Sequence, residues 1–544
     1  MNSDTAVPLG YIVVGQAQPQ EFQFVTSRQL VPPRLEYLVV RGVAERRGDA
    51  IVPVDVLAQV ASLGIDSAVL TGNLTFEEVD SILAGRLVPP PKIMGACRVI
   101  GYLEDGNVRR PRSAAMPGQP VYLASDELLQ AFFTRGGASL TVGSLLSRPA
   151  VPVALDPNGF RRHLAVIAQT GAGKSYLVGK LLESLVDLGA TAIVLDPNSD
   201  YVQLRKTAAA ASRPYDAAPR TPFAENVAIY RIPGVRGRRF PDELVGPTRE
   251  FTVRFSALDA EEVSDLAGIS SRAVRLREAV HAACEQLAAD GVDYRPAELV
   301  EALRTLASTG GDVGEGAGKA VRYVEFLARY SVWGFRDVAV EDLLRPQQIT
   351  VVDLAGADKT VVSYVADRIL REIWARATTG ELAHPVFVVL EEAHNLVPND
   401  RYETRASRVI NTVAAEGRKF RVFLMVITQR PSKIHQDTLL QCGSQIVMQL
   451  TNPDDQRAVQ QASEAVSADL LADLPALNTG EAIILGQLTR VPVMVHVGGR
   501  LSAEGGSDID LVAALARAAE SARIERMAAR ATPAPVERQK EDWL

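Results

Sequence analysis

Cysteine is scarce in this 544-residue chain: Cys97, Cys284 and Cys442 stand far apart, with no Cys-x-x-Cys pair. That excludes a disulfide framework and a zinc ribbon, and leaves three small residues suited to a core. The histidines at 163, 281, 384, 394, 435 and 496 include no i, i+4 pair with an intervening Glu, so no protein-held transition metal is expected. Long apolar runs are missing too. Stretches such as 386–390 and 422–427 fall far short of the ~18 residues that span a bilayer, so no transmembrane helix is expected. The first positive charge is Arg28 and Asp4 interrupts any apolar lead-in, which gives no signal-peptide pattern and points to a cytoplasmic protein. There is no fixed-period repeat, and no Asn-Lys-x-Asp sequence to read guanine. Positive charge is in deficit: 58 Lys and Arg against 65 Asp and Glu leave a net −7. Such a surface does not coat nucleic acid indiscriminately, although it allows a local basic channel.

What is present is the ordinary globular balance, 47% hydrophobic and 23% charged, in a chain long enough for three or four domains at ~150 residues each. Short β-type runs at 11–14, 35–40, 99–102 and 121–123, separated by Pro and Gly, favour a small barrel or sandwich over residues 1–150. Stretches 54–63 and 75–83 read as helical within it. From Leu164 the pattern changes. Continuous apolar runs at 164–167, 192–195, 349–352, 386–390, 422–427, 446–450, 482–485 and 493–497 alternate with amphipathic helices, the first at 176–188. This indicates an α/β fold, a mainly parallel sheet covered on both faces, over 151–247 and 346–500. Between them, 248–345 carries Ala, Leu, Glu and Arg at helical spacing, as in Val274, Leu276, Ala279, Val280 and Ala283. It is expected to be an α-helical insertion of about four helices, with the Gly-rich 308–318 as a flexible loop. Residues 501–544 are expected to supply a final helix, 509–529, and a charged tail ending at Trp543 and Leu544.

The segment Ala168-Gln-Thr-Gly-Ala-Gly-Lys-Ser175 lies between a strand and a helix and has the spacing of a Walker A loop, with Ala in place of the first Gly. Gly171 and Gly173 let backbone N–H groups turn inward, and the following helix presents its positive end to phosphates. The expected nucleotide-binding residues are Gly171, Ala172, Gly173, Lys174, Ser175 and Tyr176. Lys174 should reach the β and γ oxygens of ATP and Ser175 should hold Mg2+. The strand Phe387-Val-Val-Leu-Glu391-Glu392 ends in two carboxylates, as a Walker B does. Glu391 can hold the metal and its waters, while Glu392 can orient and deprotonate the attacking water.

In a parallel sheet all carboxyl ends share one edge, where ligands bind. Gln429, just after the 422–427 run, is therefore expected to face the γ-phosphate of its own subunit as a sensor. Arg418 falls at the other edge, between a helix that ends at Gly417, read as its C-cap, and the strand that follows. A six-residue strand is ~20 Å long, so Arg418 cannot easily reach its own phosphates. Either it is structural or it completes a neighbour's site. Arg162, before the first core strand, is a second candidate of the same kind.

Together these residues resemble the HerA family of hexameric DNA translocases, within the group that includes FtsK. The phrases that carry the resemblance are 162–175, Val194-Leu-Asp-Pro-Asn-Ser-Asp-Tyr201, Leu390-Glu-Glu-Ala-His-Asn-Leu-Val-Pro398, Glu416-Gly-Arg-Lys-Phe420 and Thr428-Gln-Arg-Pro-Ser-Lys433. It covers about 150–500 strongly and the amino-terminal part weakly. Asn198-Ser199-Asp200 departs from the family's usual His-Gly-Glu, which leaves the roles of Asp196 and Asp200 open. The resemblance implies a RecA-like P-loop ATPase core and an amino-terminal β-barrel that docks partners. It implies a homohexamer with double-stranded DNA in a central channel and a NurA-type nuclease partner in DNA end processing. Candidate DNA contacts are Arg236, Arg238 and Arg239, or Arg401 and Arg405. A conjugation- or secretion-type motor, or a nucleotide-controlled scaffold that recruits a nuclease, would use the same motifs. A passive scaffold, however, has no need of Glu392 beside Glu391.

Overall fold

The computed structural model describes residues 7–13, 18–84, 89–134, 139–208, 224–236, 238–289, 291, 293–399, 403–463, 468–506 and 511–531. Two compact units are present, 1–505 and 506–544. In the first, six antiparallel strands close into a barrel: Glu21–Thr26, Gly10–Ile12, Pro120–Leu123, Tyr37–Arg47, Ala50–Asp66 and Lys92–Glu104, with the last pairing back onto the first. Phe22, Phe24, Val40, Val56 and Val60 fill it. Gly95 is required there, because a Cβ at that position would lie 2.2 Å from the Phe24 ring.

Stretch 54–63, read as helical, is instead part of the long strand Ala50–Asp66. Its pairing with Lys92–Glu104 shifts register between Leu57 and Ala58 and again between Val60 and Ser62. The first shift inserts Ile100 in the partner, and only the second adds a residue, Ala61, to this strand. Val54, Val56, Ala58 and Val60 alternate into the barrel while Leu57 is buried in a different core, and apolar positions on both faces mimic helical spacing.

The second layer system is a twelve-stranded sheet. Eight parallel strands run in the order Arg249–Glu250, Val227–Arg231, Ile349–Asp353, Thr191–Asp196, Val386–Leu390, Val422–Thr428, Leu164–Ile167 and Ser444–Val447. Four antiparallel strands continue it: Glu481–Gly486, Val493–Val497, Leu140–Leu145 and Pro152–Leu155. The central strands are buried on both sides, which explains their uninterrupted apolar sequences. Ala165, Ile167, Ile193, Leu195, Leu424 and Val426 face one core, while Leu164, Val166, Ala192, Val194, Met425 and Ile427 face the other.

The helices Ala260–Leu266, Val274–Ala289, Pro296–Ser308 and Gly311–Leu327 interrupt the sheet sequence. Residues 311–318, expected as loop, open the last of them. A Cβ at Gly316 would sit 2.5 Å from the Arg275 carbonyl, so this glycine serves close helix packing rather than flexibility.

The unit 506–544 contains the helix Leu511–Ala531, on which Leu511, Val512, Leu515, Ile524 and Met527 are exposed. Trp543 and Leu544 lie outside the described residues. Among the described residues, no helix is long and apolar enough to cross a membrane.

Candidate nucleotide-hydrolysis site

The strand Leu164–Ile167 delivers the loop 168–173 to the helix Lys174–Asp187 at the carboxyl edge of the sheet. Gly171 and Gly173 both adopt left-handed backbone, φ 81° and 100°, which turns the loop over the helix amino terminus. The loop is anchored by its neighbours: Ala168 N–H donates to the Thr428 carbonyl at 3.2 Å, and Gly480 N–H to that of Ala172 at 3.0 Å.

Glu391 and Glu392 follow the strand Val386–Leu390, between the strands that end in Asp196 and Thr428. The Lys174 ammonium lies against Glu391 Oε1 and 3.6 Å from Glu392 Oε1. Tyr201 donates its hydroxyl to Glu391 Oε2 at 2.7 Å, and burial, with the charges of Asp200 and Asp196, pushes the Tyr201 pKa well up. Glu392 sits in left-handed backbone, φ 50°. A non-glycine residue is held there only by well-determined surroundings, a feature that concentrates at functional sites.

Ser175 donates its hydroxyl to Asp200 Oδ2 at 2.8 Å. Asp196 has another task. Its carboxylate accepts N–H bonds from Asn198, Asp200 and Tyr201 at 2.9 to 3.1 Å and so closes the turn that presents Asp200 and Tyr201. Burial, and then the charges of Asp200 and Asp353, push its pKa up to about 8. Of the two acids whose roles the sequence left open, Asp196 shapes the loop and Asp200 contacts the site.

A hydroxyl and carboxylates around Ser175, Glu391 and Asp200 form a hard-oxygen set suited to Mg2+. Glu391 Oε1 is buried and already faces a cation, the Lys174 ammonium, so positive charge is accommodated at this position. Among the described residues no cluster of three His, Cys, Asp or Glu could hold a metal alone, so phosphate and water would supply the other ligands.

Gln429 emerges half-buried beside its own P-loop, where Thr170 donates its hydroxyl to Gln429 Oε1. Arg162 and Arg418 are both exposed at the opposite edge. Neither guanidinium makes a hydrogen bond or ion pair among the described residues. His163 fixes both segments. Leu424 N–H donates to its Nδ1 at 2.9 Å, so the proton sits on Nε2, which donates to the Ala414 carbonyl at 3.0 Å. Burial pushes the His163 pKa down to about 4. Gly417 is the C-cap, as read from sequence, but it is not left-handed, with φ −53°. It is required because a Cβ would meet the Val422 carbonyl at 2.6 Å.

Three features escaped the sequence reading. His394 contacts both Glu392 and Thr428. Asp353, at the end of the strand beside Asp196, binds Ser199 Oγ and Arg231 Nε at 2.8 Å each; its place at a strand's carboxyl end was the available signal. Arg500, only 2% exposed, packs across the P-loop helix and donates to the Ser175 and Ala503 carbonyls at 3.4 and 3.0 Å. A Cβ on Gly179 would meet its guanidinium at 2.3 Å.

Of the candidate DNA contacts, Arg405 is engaged by Asp367 and Glu262, and Arg238 donates to the Ile232 carbonyl at 2.6 Å. Arg236 and Arg239 are exposed, Arg239 over the Phe240 ring, and Arg401 lies outside the described residues.

Residues 140–373 match the family described as Helicase HerA, central domain. The DNA double-strand break repair helicase HerA of Pyrococcus furiosus is 30% identical over 461 residues, which are 75% of this chain and 77% of that protein. The chain belongs to the HerA family. Its namesake in Sulfolobus acidocaldarius is 27% identical over 538 residues, 94% of this chain and 97% of that one. Among solved structures, the plasmid coupling protein TrwB in complex with ADP and Mg2+ aligns with a TM-score of 0.47 at 15% identity, over 70% of this chain and 94% of TrwB. This HerA-family protein is an ATP-hydrolysing enzyme with a P-loop core.

Proposed function

We propose that this HerA-family ATPase is a motor that moves along double-stranded DNA, driven by ATP hydrolysed between the subunits of a homohexameric ring. One observation carries the reading. Lys174, Glu391, Glu392 and Gln429 gather at the carboxyl edge of the sheet, while Arg162 and Arg418 stand exposed and unpaired at the amino edge. A site divided in this way is complete only when a second subunit brings its amino edge to the first.

In this reading the backbone N–H groups of Gly171 to Ser175 and the helix terminus cradle the phosphates, with Tyr176 beside them and Lys174 neutralising the β and γ oxygens. Ser175 and Glu391 hold Mg2+, which supplies charge neutralisation when bound. Glu392 accepts the proton of the attacking water as the new bond to phosphorus forms and the bond to the ADP oxygen breaks. Gln429 reads the γ-phosphate. The neighbour's Arg418, with Arg162 as a second contact, stabilises the charge that develops.

The names of the relatives support DNA as the track. The net charge of −7 confines binding to a basic channel that follows phosphates without reading bases. The amino-terminal barrel, within residues 1–150, is the docking module for a NurA-type nuclease in DNA end processing. The deciding experiment is ATP hydrolysis with and without linear duplex DNA. Strong stimulation is expected, and turnover indifferent to DNA overturns the motor assignment in favour of an ATPase acting on protein.

A further inference from the structure

We propose that His394 is a positioning residue for Glu392 and ties that base to the strand that carries Gln429. The inference deepens the hydrolysis reading above and rests on it. His394 lies in the short turn Ala393–Asn395, directly after Glu392. The turn is fastened by Asn395 N–H to the Glu392 carbonyl at 2.8 Å and by Val397 N–H to that of Ala393 at 2.9 Å. With Ala393 fully buried and Glu392 in left-handed backbone, both flanking side chains have fixed exits.

The imidazole Nδ1 then stands 3.3 Å from Glu392 Oε2 and 3.2 Å from Thr428 Oγ1. Thr428 is fully buried, ends the strand Val422–Thr428, and immediately precedes Gln429. Its Oγ1 accepts Arg430 N–H at 2.9 Å, so the hydroxyl also fixes the turn that Gln429 occupies. Glu392 Oε2, by contrast, is buried with no hydrogen bond. A buried carboxylate oxygen left in this condition is costly, and the His394 nitrogen is the group within reach of it. One nitrogen therefore stands between the base and the sensor strand, and a shift of either neighbour changes its distance to the other. Placement within a few tenths of an ångström matters for a group that must meet an attacking water.

The full chain with ATP, Mg2+ and linear duplex DNA serves for the test. His394→Ala is expected to lose turnover by roughly 10²-fold while ATP affinity stays the same. An asparagine can place its amide nitrogen where Nδ1 stands, whereas glutamine places its own nearer Nε2. His394→Asn should therefore restore most of the activity and His394→Gln little of it. Thr428→Val should lower turnover in the same direction. The double variant with His394→Ala should be no slower than the slower single variant, because both changes break one link.

Wild-type turnover in His394→Ala overturns the proposal. So does His394→Asn falling as low as His394→Gln, or effects of the two sites that multiply. If His394→Ala fails to fold, the asparagine and glutamine variants decide by themselves. Glu392→Gln separates the levels. If it keeps wild-type turnover the base assignment itself has failed, whereas if it is inactive and His394→Ala is normal, only the role of His394 falls.

Discussion

Replacing Arg418 by alanine separates a residue that serves its own subunit from one that serves the next. The strand Val422–Thr428 has seven residues. At 3.3 Å per residue it puts about 23 Å between the Arg418 edge and the Gln429 edge, beyond the reach of an arginine side chain. Arg418 is exposed and has no ion pair among the described residues, so its loss should change stability by no more than about 0.5 kcal/mol. The turn it occupies is held by His163, not by its own side chain. An arginine finger is nevertheless worth roughly 10³-fold in turnover, about 4 kcal/mol of activation free energy. The expected Arg418→Ala protein folds, assembles and binds ATP, yet barely hydrolyses it. Mixing it with an equally inactive Lys174→Ala protein should restore an intact P-loop facing an intact arginine at about one interface in four. ATPase activity should partly return once fluorescence transfer shows that subunits exchange. If exchange is shown and activity does not return, small proportions of each mutant in wild type decide the case. Loss in simple proportion to the mutant fraction refutes the trans assignment and leaves Arg162 as the next candidate. Loss much steeper than proportion means instead that the ring requires every site.

The site and its supports yield other expectations. Lys174→Ala should abolish turnover and also lower the urea midpoint, because it leaves Glu391 charged and buried; adding Glu391→Gln should recover stability but not activity, and a midpoint no different from wild type in the single variant argues against the buried pair. Gly179→Ala should destabilise by about 1–3 kcal/mol, despite alanine's better helix propensity, since its Cβ meets Arg500; a rise in melting temperature contradicts that packing. The folded pKa of His163 is depressed to about 4, so its contribution to stability is present above the unfolded value near 6.5 and is lost as pH falls towards 4. That contribution is at most about 3 kcal/mol, and ring NMR showing His163 titrating near 6.5 in the folded protein removes it. Duplex DNA should bind indifferently to sequence and weaken steeply with salt between roughly 50 and 200 mM; a flat salt dependence rules out a phosphate-tracking channel.

The P-loop and the paired acids were legible in the sequence because their chemistry demands fixed spacing next to one strand each. Gln429 and Arg418 could be sorted to opposite edges because a parallel strand has a direction. The legible part ended where long-range packing decides. Burial of Leu57 on the face opposite the barrel core and the bulge after Val60 hid the period of a strand, and Gly314 and Gly316, which read as loop punctuation, are helix-packing residues. Asp200 and Asp196 look alike in sequence, and only the turn that closes on Asp196 tells them apart. His394 and Arg500 act on residues of distant segments, 34 and 325 positions away, which no local pattern encodes.

The strand order also bears on how the protein is made. The P-loop strand Leu164–Ile167 lies between Val422–Thr428 and Ser444–Val447, and His163 and Leu424, which join across it, are 261 residues apart. At 5–20 residues per second a ribosome needs on the order of 15–50 s to deliver the first of these flanking strands. Throughout that time a fully apolar strand has both hydrogen-bonding edges open. The nucleotide loop cannot take shape during synthesis of the amino-terminal half. The nascent chain must be shielded until the second half arrives, and a slowly translated or prematurely ended product is the species most exposed to aggregation.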